Sequence, residues 1–169
     1  MTDLPPVWLL DVDGVINANR PGWGGPPLKG RCWSNADNYE YTLRWAPSLI
    51  TRIRDLHRAG AVEVHWCSTW CADAAALEYL WAFPPLARAF TEPLRGEEAS
   101  AAKLAAARQV LADGRRLIWT DDTEVPLAGD VYDELMSTGR ALLIRPKMST
   151  GLQPEHMEVI EAVARGEAL

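Results

Sequence analysis

Short, mostly apolar runs alternate with segments of helical character along this chain. The apolar runs predict buried strands at residues 7–10, 61–66, 116–119 and 141–144. The intervening segments predict helices that begin near Pro47, at 74–82, at 100–112, at 131–137 and near Pro154. Strands that alternate with helices predict an α/β fold of three layers, α/β/α. Its mostly parallel, Rossmann-like sheet should have about five strands, with helices on both faces.

One segment interrupts this alternation, between the first strand and the first helix. Residues 17–44 are polar, rich in Gly and Pro, and lack helical periodicity, which predicts a short flap or hairpin. Within it, residues 38–43 alternate apolar with polar side chains, as a flap strand would. Gly25–Cys32 lacks the Lys-Ser/Thr pair of a phosphate-binding glycine loop, so we interpret it as a turn. No linker or repeat indicates a second domain, and residues 1–169 are predicted to form one.

Composition and charge narrow the functional classes. With 48% hydrophobic and 24% charged residues, the chain has ordinary globular composition. A net charge of -6 disfavours tight non-specific nucleic-acid binding unless a local basic patch exists. The N-terminal residues form neither a signal sequence nor a membrane span, so we expect a cytoplasmic protein without membrane association. Nothing in the sequence indicates an obligate protein partner.

The cysteines form no paired framework. Cys32, Cys67 and Cys71 are an odd number, which suits a reducing compartment. Together with His65, two of them could be imagined as a zinc site, but no second pair completes four ligands. Buried thiols are the favoured interpretation.

Polar residues follow the predicted strands at the points where chemistry is expected. The first strand leads into Asp11-Val12-Asp13-Gly14, the second into Ser68-Thr69, and the strand at 116–119 into Asp121-Asp122. Lys103 lies near the start of the preceding helix. Because ligands of open parallel sheets bind beyond the carboxyl ends of the strands, these residues should converge on one crevice. Each is unremarkable alone, but their order and spacing make the set specific.

In this order, the four segments resemble the motifs of haloacid dehalogenase-like phosphohydrolases, and the resemblance spans nearly the whole chain. It implies Asp11 as nucleophile and Asp13 as general acid and base. It further implies Ser68, Thr69 and Lys103 as phosphate-binding residues. The implied ligands of a Mg²⁺ cofactor are Asp11, Asp13 through its backbone carbonyl, Asp121 and Asp122. Segment 64–70 and Gly151-Leu152 also resemble the small members associated with RNA-repair proteins.

The resemblance agrees with the chemistry of these residue types. A carboxylate nucleophile and a phosphate anion about 4 Å apart repel by roughly 4 kcal/mol at an effective dielectric constant near 20, which a bridging divalent cation reverses. Dehalogenase members lack a carboxylate at the position of Asp13, so phosphate-ester hydrolysis is favoured over C–halogen chemistry. The prediction is a phosphatase that works through an aspartyl-phosphate.

The substrate is less constrained. Residues 17–44 and 70–100 leave room for no large cap domain, so we expect an open site for a phosphorylated small molecule, such as a nucleotide, or a nucleic-acid end. Trp23, Trp33 and Trp70 could stack a base near the mouth, or instead clamp the flap onto the sheet.

Two other functional classes compete with the enzyme. One is a catalytically idle domain that binds a phosphorylated ligand or a partner. The other is a receiver-like domain that is phosphorylated on an aspartate as a signal. The competent residues at every catalytic position disfavour the first, and the early position of Asp11 along the chain disfavours the second.

Overall fold

A parallel five-stranded sheet forms the centre of the computed structural model, which describes residues 4–168. Its strands are β1 (Val7–Leu10), β4 (Glu63–Trp66), β5 (Ala87–Arg88), β6 (Leu117–Thr120) and β7 (Ala141–Ile144), in the spatial order β5-β4-β1-β6-β7. Central strand β1 pairs in parallel with β4 on one side and β6 on the other, so that Leu10 lies opposite both Trp66 and Thr120. The ends of β1, β4 and β6 therefore share one edge of the sheet.

Helices cover both faces of this sheet. They are α1 (Pro47–Arg58), α2 (Ala74–Trp81), α3 (Gly96–Ala112), α4 (Asp130–Met136) and α5 (Pro154–Ala164). Apolar residues of α1, α2 and α5 form one core with Trp8 and Leu10, whereas α3 and α4 form a second core with Val7 and Leu9. Because successive strand side chains point to opposite faces, a strand between two helical layers is buried at all four positions. The predicted α/β architecture with a mostly parallel sheet is confirmed.

The remaining two strands form an antiparallel hairpin, β2 (Leu28–Ser34) and β3 (Tyr39–Trp45), which we call the flap. Cys32 and Ser34 of β2 are buried, and Trp33 between them is exposed on the outer face. A side chain at Gly30 would overlap Trp45 of β3 and Leu80 of α2, so the hairpin lies directly against α2.

Three predictions of local structure differ from the structure. Strand β5 was not predicted, because two residues carry no recognisable periodicity. Helix α3 begins at Gly96, four residues before the predicted start, and two glutamates in its first turn interact favourably with the helix dipole. The prediction of a turn at 25–32 is wrong beyond Pro27, because pairing with β3 extends Leu28–Ser34.

The structure also bears on the predictions for the cysteines and for membrane spans. Cys32, Cys67 and Cys71 are all free and buried, as expected for buried thiols. Between residues 4 and 168, no helix combines the length and the apolar character needed to cross a bilayer.

Candidate functional site

Asp11 lies directly beyond the central strand, where the loop is tightly wound. Its backbone N–H donates to the carbonyl of Thr120 at 3.1 Å, which continues the pairing of β1 with β6. The carbonyl of Val12 accepts three successive backbone N–H groups, and Gly14 adopts a φ of 72° that favours glycine. A Cβ atom at Gly14 would overlap the Asp122 carboxylate. The glycine therefore lets the loop after β1 approach the loop after β6.

Three carboxylates meet at this point. Asp11, Asp121 and Asp122 each offer one oxygen atom, and these atoms all lie within 4.8 Å of one another. The Nζ atom of Lys103, from α3, is 2.6 Å from Oδ2 of Asp121 and 3.4 Å from Oδ2 of Asp11. Lys103, Asp11 and Asp121 are buried. The predicted convergence of the first, third and fourth motifs is present, with three potential negative charges facing one ammonium group.

The neighbouring aspartates differ in their free acceptor capacity. Oδ1 of Asp121 accepts hydrogen bonds from the backbone N–H groups of Thr123 at 2.9 Å and Glu124 at 2.8 Å. Oδ2 of Asp121 accepts a hydrogen bond from the ammonium group of Lys103. The Asp122 side chain is only partly buried and accepts no hydrogen bond from another residue in the described part of the chain. Asp122 thus has the carboxylate with more oxygen lone pairs available to a ligand.

The concentration of carboxylates affects their proton affinity. Burial, reinforced by the charge of Asp121 and opposed by that of Lys103, raises the pKa of Asp11 to about 8. Burial and the charge of Asp121 also raise the pKa of Asp122. For Lys103, burial lowers the pKa, but the charges of Asp11 and Asp121 outweigh it and raise the pKa above the ordinary lysine value. When all three carboxyls are ionised, their charge exceeds that of the single ammonium group, and a bound cation would relieve this excess.

Asp13 lies at the mouth of the site rather than inside the three-carboxylate group. Its Oδ1 accepts a hydrogen bond from the Asn17 side chain at 2.7 Å, and its Oδ2 accepts one from the Trp70 indole N–H at 3.0 Å. Asp13 nevertheless remains exposed. It lines, with Asp11 and Lys103, a cavity of about 340 Å³, so both predicted catalytic carboxylates face one space.

The second predicted motif, Ser68-Thr69, also lies next to Asp11 and Asp13. Ser68 and Thr69 follow β4, and Ser68 is buried. A hydrogen bond from the Ser68 side chain lowers the pKa of Asp11, although the burial of Asp11 raises that pKa by more. Thr69 lines the cavity beside Asp13. Thr69 and Lys103 thus line the same cavity as Asp11, and Ser68 is buried beside it, although the second and third motifs were predicted from different segments of the chain.

The three tryptophans suggested as stacking residues have three different surroundings. Trp70 is buried beside Asp13. Trp23 donates its indole N–H to the Leu152 carbonyl at 2.9 Å and lies against the Arg52 guanidinium, 5.6 Å from the ring centroid. Trp33 is 46% exposed on the outer face of the flap. Of these three, only Trp70 lines a cavity next to Asp13.

Residues that the sequence did not single out hold the tip of the flap in place. The buried carboxylate of Asp73 accepts a hydrogen bond from the Ser34 hydroxyl at 2.8 Å and from the backbone N–H groups of Asn35 and Ala36 at 3.0 and 3.2 Å. Nothing in the local pattern around Asp73 indicates this role, because its partners lie about 40 positions earlier in the chain. The flap tip is therefore fixed next to the loop that carries Ser68 and Thr69.

Comparisons with protein-family models, with curated proteins and with solved structures found no match to this chain. The function is therefore inferred from the arrangement of the residues described above.

Proposed function

We propose that this protein is a Mg²⁺-dependent phosphomonoester hydrolase of the haloacid dehalogenase-like type, with Asp11 as its nucleophile. The observation that carries the proposal is the group formed by Asp11, Asp121 and Asp122 beside Lys103 at one edge of the sheet. The sheet order supports it as well. Numbered along the chain, its parallel strands are arranged third, second, first, fourth and fifth, which is the beginning of the Rossmann-type order.

The donor set fits a hard divalent cation. Carboxylate oxygens are the ligands that Mg²⁺ prefers, and it is usually bound by one or two protein carboxylates together with other oxygen ligands. Asp11 and Asp122 would hold the ion, because Asp121 already accepts Lys103 and two backbone N–H groups. When bound, the cation supplies the positive charge that allows an anionic nucleophile to approach a phosphate dianion.

The residues of the chain then divide the reaction into two steps. The Asp11 carboxylate attacks phosphorus and forms an aspartyl-phosphate, while the P–O bond to the leaving group breaks and Asp13 donates a proton to the leaving oxygen. Asp13 next accepts a proton from a water molecule that attacks the same phosphorus, which releases inorganic phosphate and restores Asp11. Lys103 and Ser68 stabilise the charge on the phosphoryl oxygens in both steps.

Phosphate release tests this proposal directly. Purified protein is assayed with an aryl phosphate, nucleotides, sugar phosphates and phosphorylated oligonucleotides, with Mg²⁺ and with a chelator. We expect turnover only with Mg²⁺, and a loss of about a thousandfold or more in Asp11→Asn. Asp55→Asn, the same change at an exposed position of α1, should retain full activity.

The outcomes also separate the competing functions. Absence of Mg²⁺-dependent turnover on every substrate, or an active Asp11→Asn variant, contradicts the proposal. Phosphate binding without turnover would support the idle phosphate-binding domain instead. A phosphorylated aspartate that persists for hours would support the receiver-like domain.

A further inference from the structure

A second cleft lies on the other side of Asp13, under the flap. It has a volume of about 300 Å³ and shares Asp13 and Thr69 with the cavity that contains Asp11. Its lining includes Asp13, Asp37, Tyr41, Thr69, Trp70 and Arg95. A leaving group protonated by Asp13 would therefore have this cleft next to it, while the phosphoryl group remains beside Asp11.

We propose that this cleft holds the leaving group of the substrate and selects an uncharged, hydroxyl-bearing ring, such as a sugar or the sugar of a nucleoside. The inference rests on the proposed function, since that function makes Asp13 the proton donor to the leaving group. It narrows the substrate to phosphomonoesters whose leaving group carries no second phosphate.

Aromatic rings form one wall of the cleft. The Tyr41 and Trp70 rings meet edge to face, with centroids 5.4 Å apart and an interplanar angle of 73°. The hydrogen bond from the Trp70 indole to Asp13 fixes the orientation of that ring relative to the proposed acid. The ring of Tyr39 is 57% exposed and extends the wall outwards, with its centroid 4.7 Å from that of Tyr41. Such a surface packs well against the C–H groups of a ring.

The polar groups of the cleft suit hydroxyls better than phosphates. The only cation in the lining, Arg95, donates to Asp37 at 2.7 Å and to the Thr69 carbonyl at 3.0 Å, so its charge is already paired. The hydrogen bond and charge of Arg95 lower the pKa of Asp37, which keeps that carboxylate ionised. Asp37 and Arg95 neutralise each other, so the described residues of the lining offer no unpaired positive charge to a second phosphate. Carboxylates accept hydrogen bonds from hydroxyls and repel a second phosphate.

Kinetics with matched substrates test the selection. We would measure kcat/KM for a nucleoside 5′-monophosphate and for the corresponding 3′,5′-bisphosphate, and for a hexose monophosphate and its bisphosphate. We expect the compound with one phosphate to be preferred about tenfold or more in each pair. Asp37→Asn should reduce this preference severalfold. Glu40→Gln, which removes a charge from the exposed outer part of the same hairpin, should leave the preference unchanged.

Equal or better turnover of the bisphosphates, or an equal response of the two variants, would overturn the inference. A phosphorylated oligonucleotide end that is hydrolysed faster than the mononucleotide would overturn it too, because such an end carries neighbouring phosphates.

A binding experiment separates this inference from the proposed function. The indole N–H resonance of Trp70, assigned with a Trp70→Phe variant, is followed during titration with a free nucleoside and with a methyl glycoside. A saturable shift with both identifies the sugar ring as the ligand, and a shift with the nucleoside alone identifies the nucleoside. No shift with either overturns the inference even if the protein is an active phosphatase. A shift in a protein without phosphatase activity would leave the ligand class standing while the proposed function fails.

Discussion

Removing the charge of Asp11 should stabilise the protein while it abolishes the proposed activity. In the folded protein the pKa of Asp11 is raised from 3.8 to about 8, chiefly by burial, so the folded state binds this proton more tightly than the unfolded chain does. The stability contributed by Asp11 is therefore fully present below about pH 4 and is lost as the pH rises towards 8. Asparagine at this position carries no charge and avoids the loss.

The size of the effect follows from the same values. At about 1.4 kcal/mol for each tenfold change in proton affinity, the shift bounds the loss near 6 kcal/mol. Part of this is shared with Asp121 and Lys103, whose charges are linked to that of Asp11, so a gain of a few kcal/mol is expected. Lys103 keeps its partner in the variant, because its Nζ atom is 2.6 Å from Asp121. For a chain of this length the gain corresponds to a rise in Tm of roughly 5–10 °C.

Thermal unfolding of both proteins, with a chelator and with excess Mg²⁺, provides the measurement. With the chelator, Asp11→Asn should unfold at a higher temperature than the wild type at pH 8, and the difference should shrink as the pH approaches 4. Mg²⁺ should raise the Tm of the wild type more than that of the variant, because at a given concentration a ligand that binds the folded state more tightly stabilises it more. Asp55→Asn should shift the Tm by little at either pH. A variant no more stable than the wild type at pH 8, or one that gains as much from Mg²⁺, would refute the reasoning.

Three further substitutions test individual parts of the site. Gly14→Ala should destabilise the fold by about 1–3 kcal/mol and lower kcat/KM, because the added Cβ would overlap the Asp122 carboxylate. The control Gly24→Ala, at the same φ of 72° but with no atom near the added Cβ, should lose stability without losing activity. Asp73→Asn should cost about 1–3 kcal/mol in chemical denaturation and speed amide exchange at the flap tip, whereas unchanged exchange would show that another contact holds it. Lys103→Met should lower kcat by about a hundredfold or more and destabilise the protein, because two buried carboxylates lose their cation; a fully active variant would remove this residue from the mechanism.

Strands β1 and β6 were predictable because they are buried on both faces. The runs 7–10 and 117–119 are apolar at every position, as expected for strands covered by helices on both sides, whereas β7 at the edge of the sheet is only partly buried. Strand β5 has two residues and no pattern of its own. It is held by Glu78, whose buried carboxylate accepts hydrogen bonds from the Leu86 backbone N–H and the Arg88 side chain. A strand defined by such contacts is not visible in the sequence.

The candidate site also has a part that could be predicted from the sequence and a part that could not. Asp11, Ser68 and Asp121 could be assigned to one edge of the sheet, because each lies within two residues of the end of a strand that the sequence reveals. The relative roles of Asp121 and Asp122 could not be assigned, since both follow β6 and differ only in their hydrogen bonds and burial, which the sequence does not show. The tryptophans show most clearly what the sequence cannot assign, because Trp23 lies against Arg52, Trp33 lies on the outer face of the flap, and Trp70 lies beside the proposed catalytic carboxylate Asp13.

The sequence by itself determined the layered architecture and the edge of the sheet where reactive side chains gather. Both depend on local alternation of apolar and polar residues and on the direction of parallel strands. Only the tertiary structure decided which groups touch across that edge, such as Trp70 with Asp13, 57 positions apart, and Asp73 with Ser34, 39 positions apart. Such contacts depend on how loops close between distant strands, and no local pattern of residues encodes that geometry.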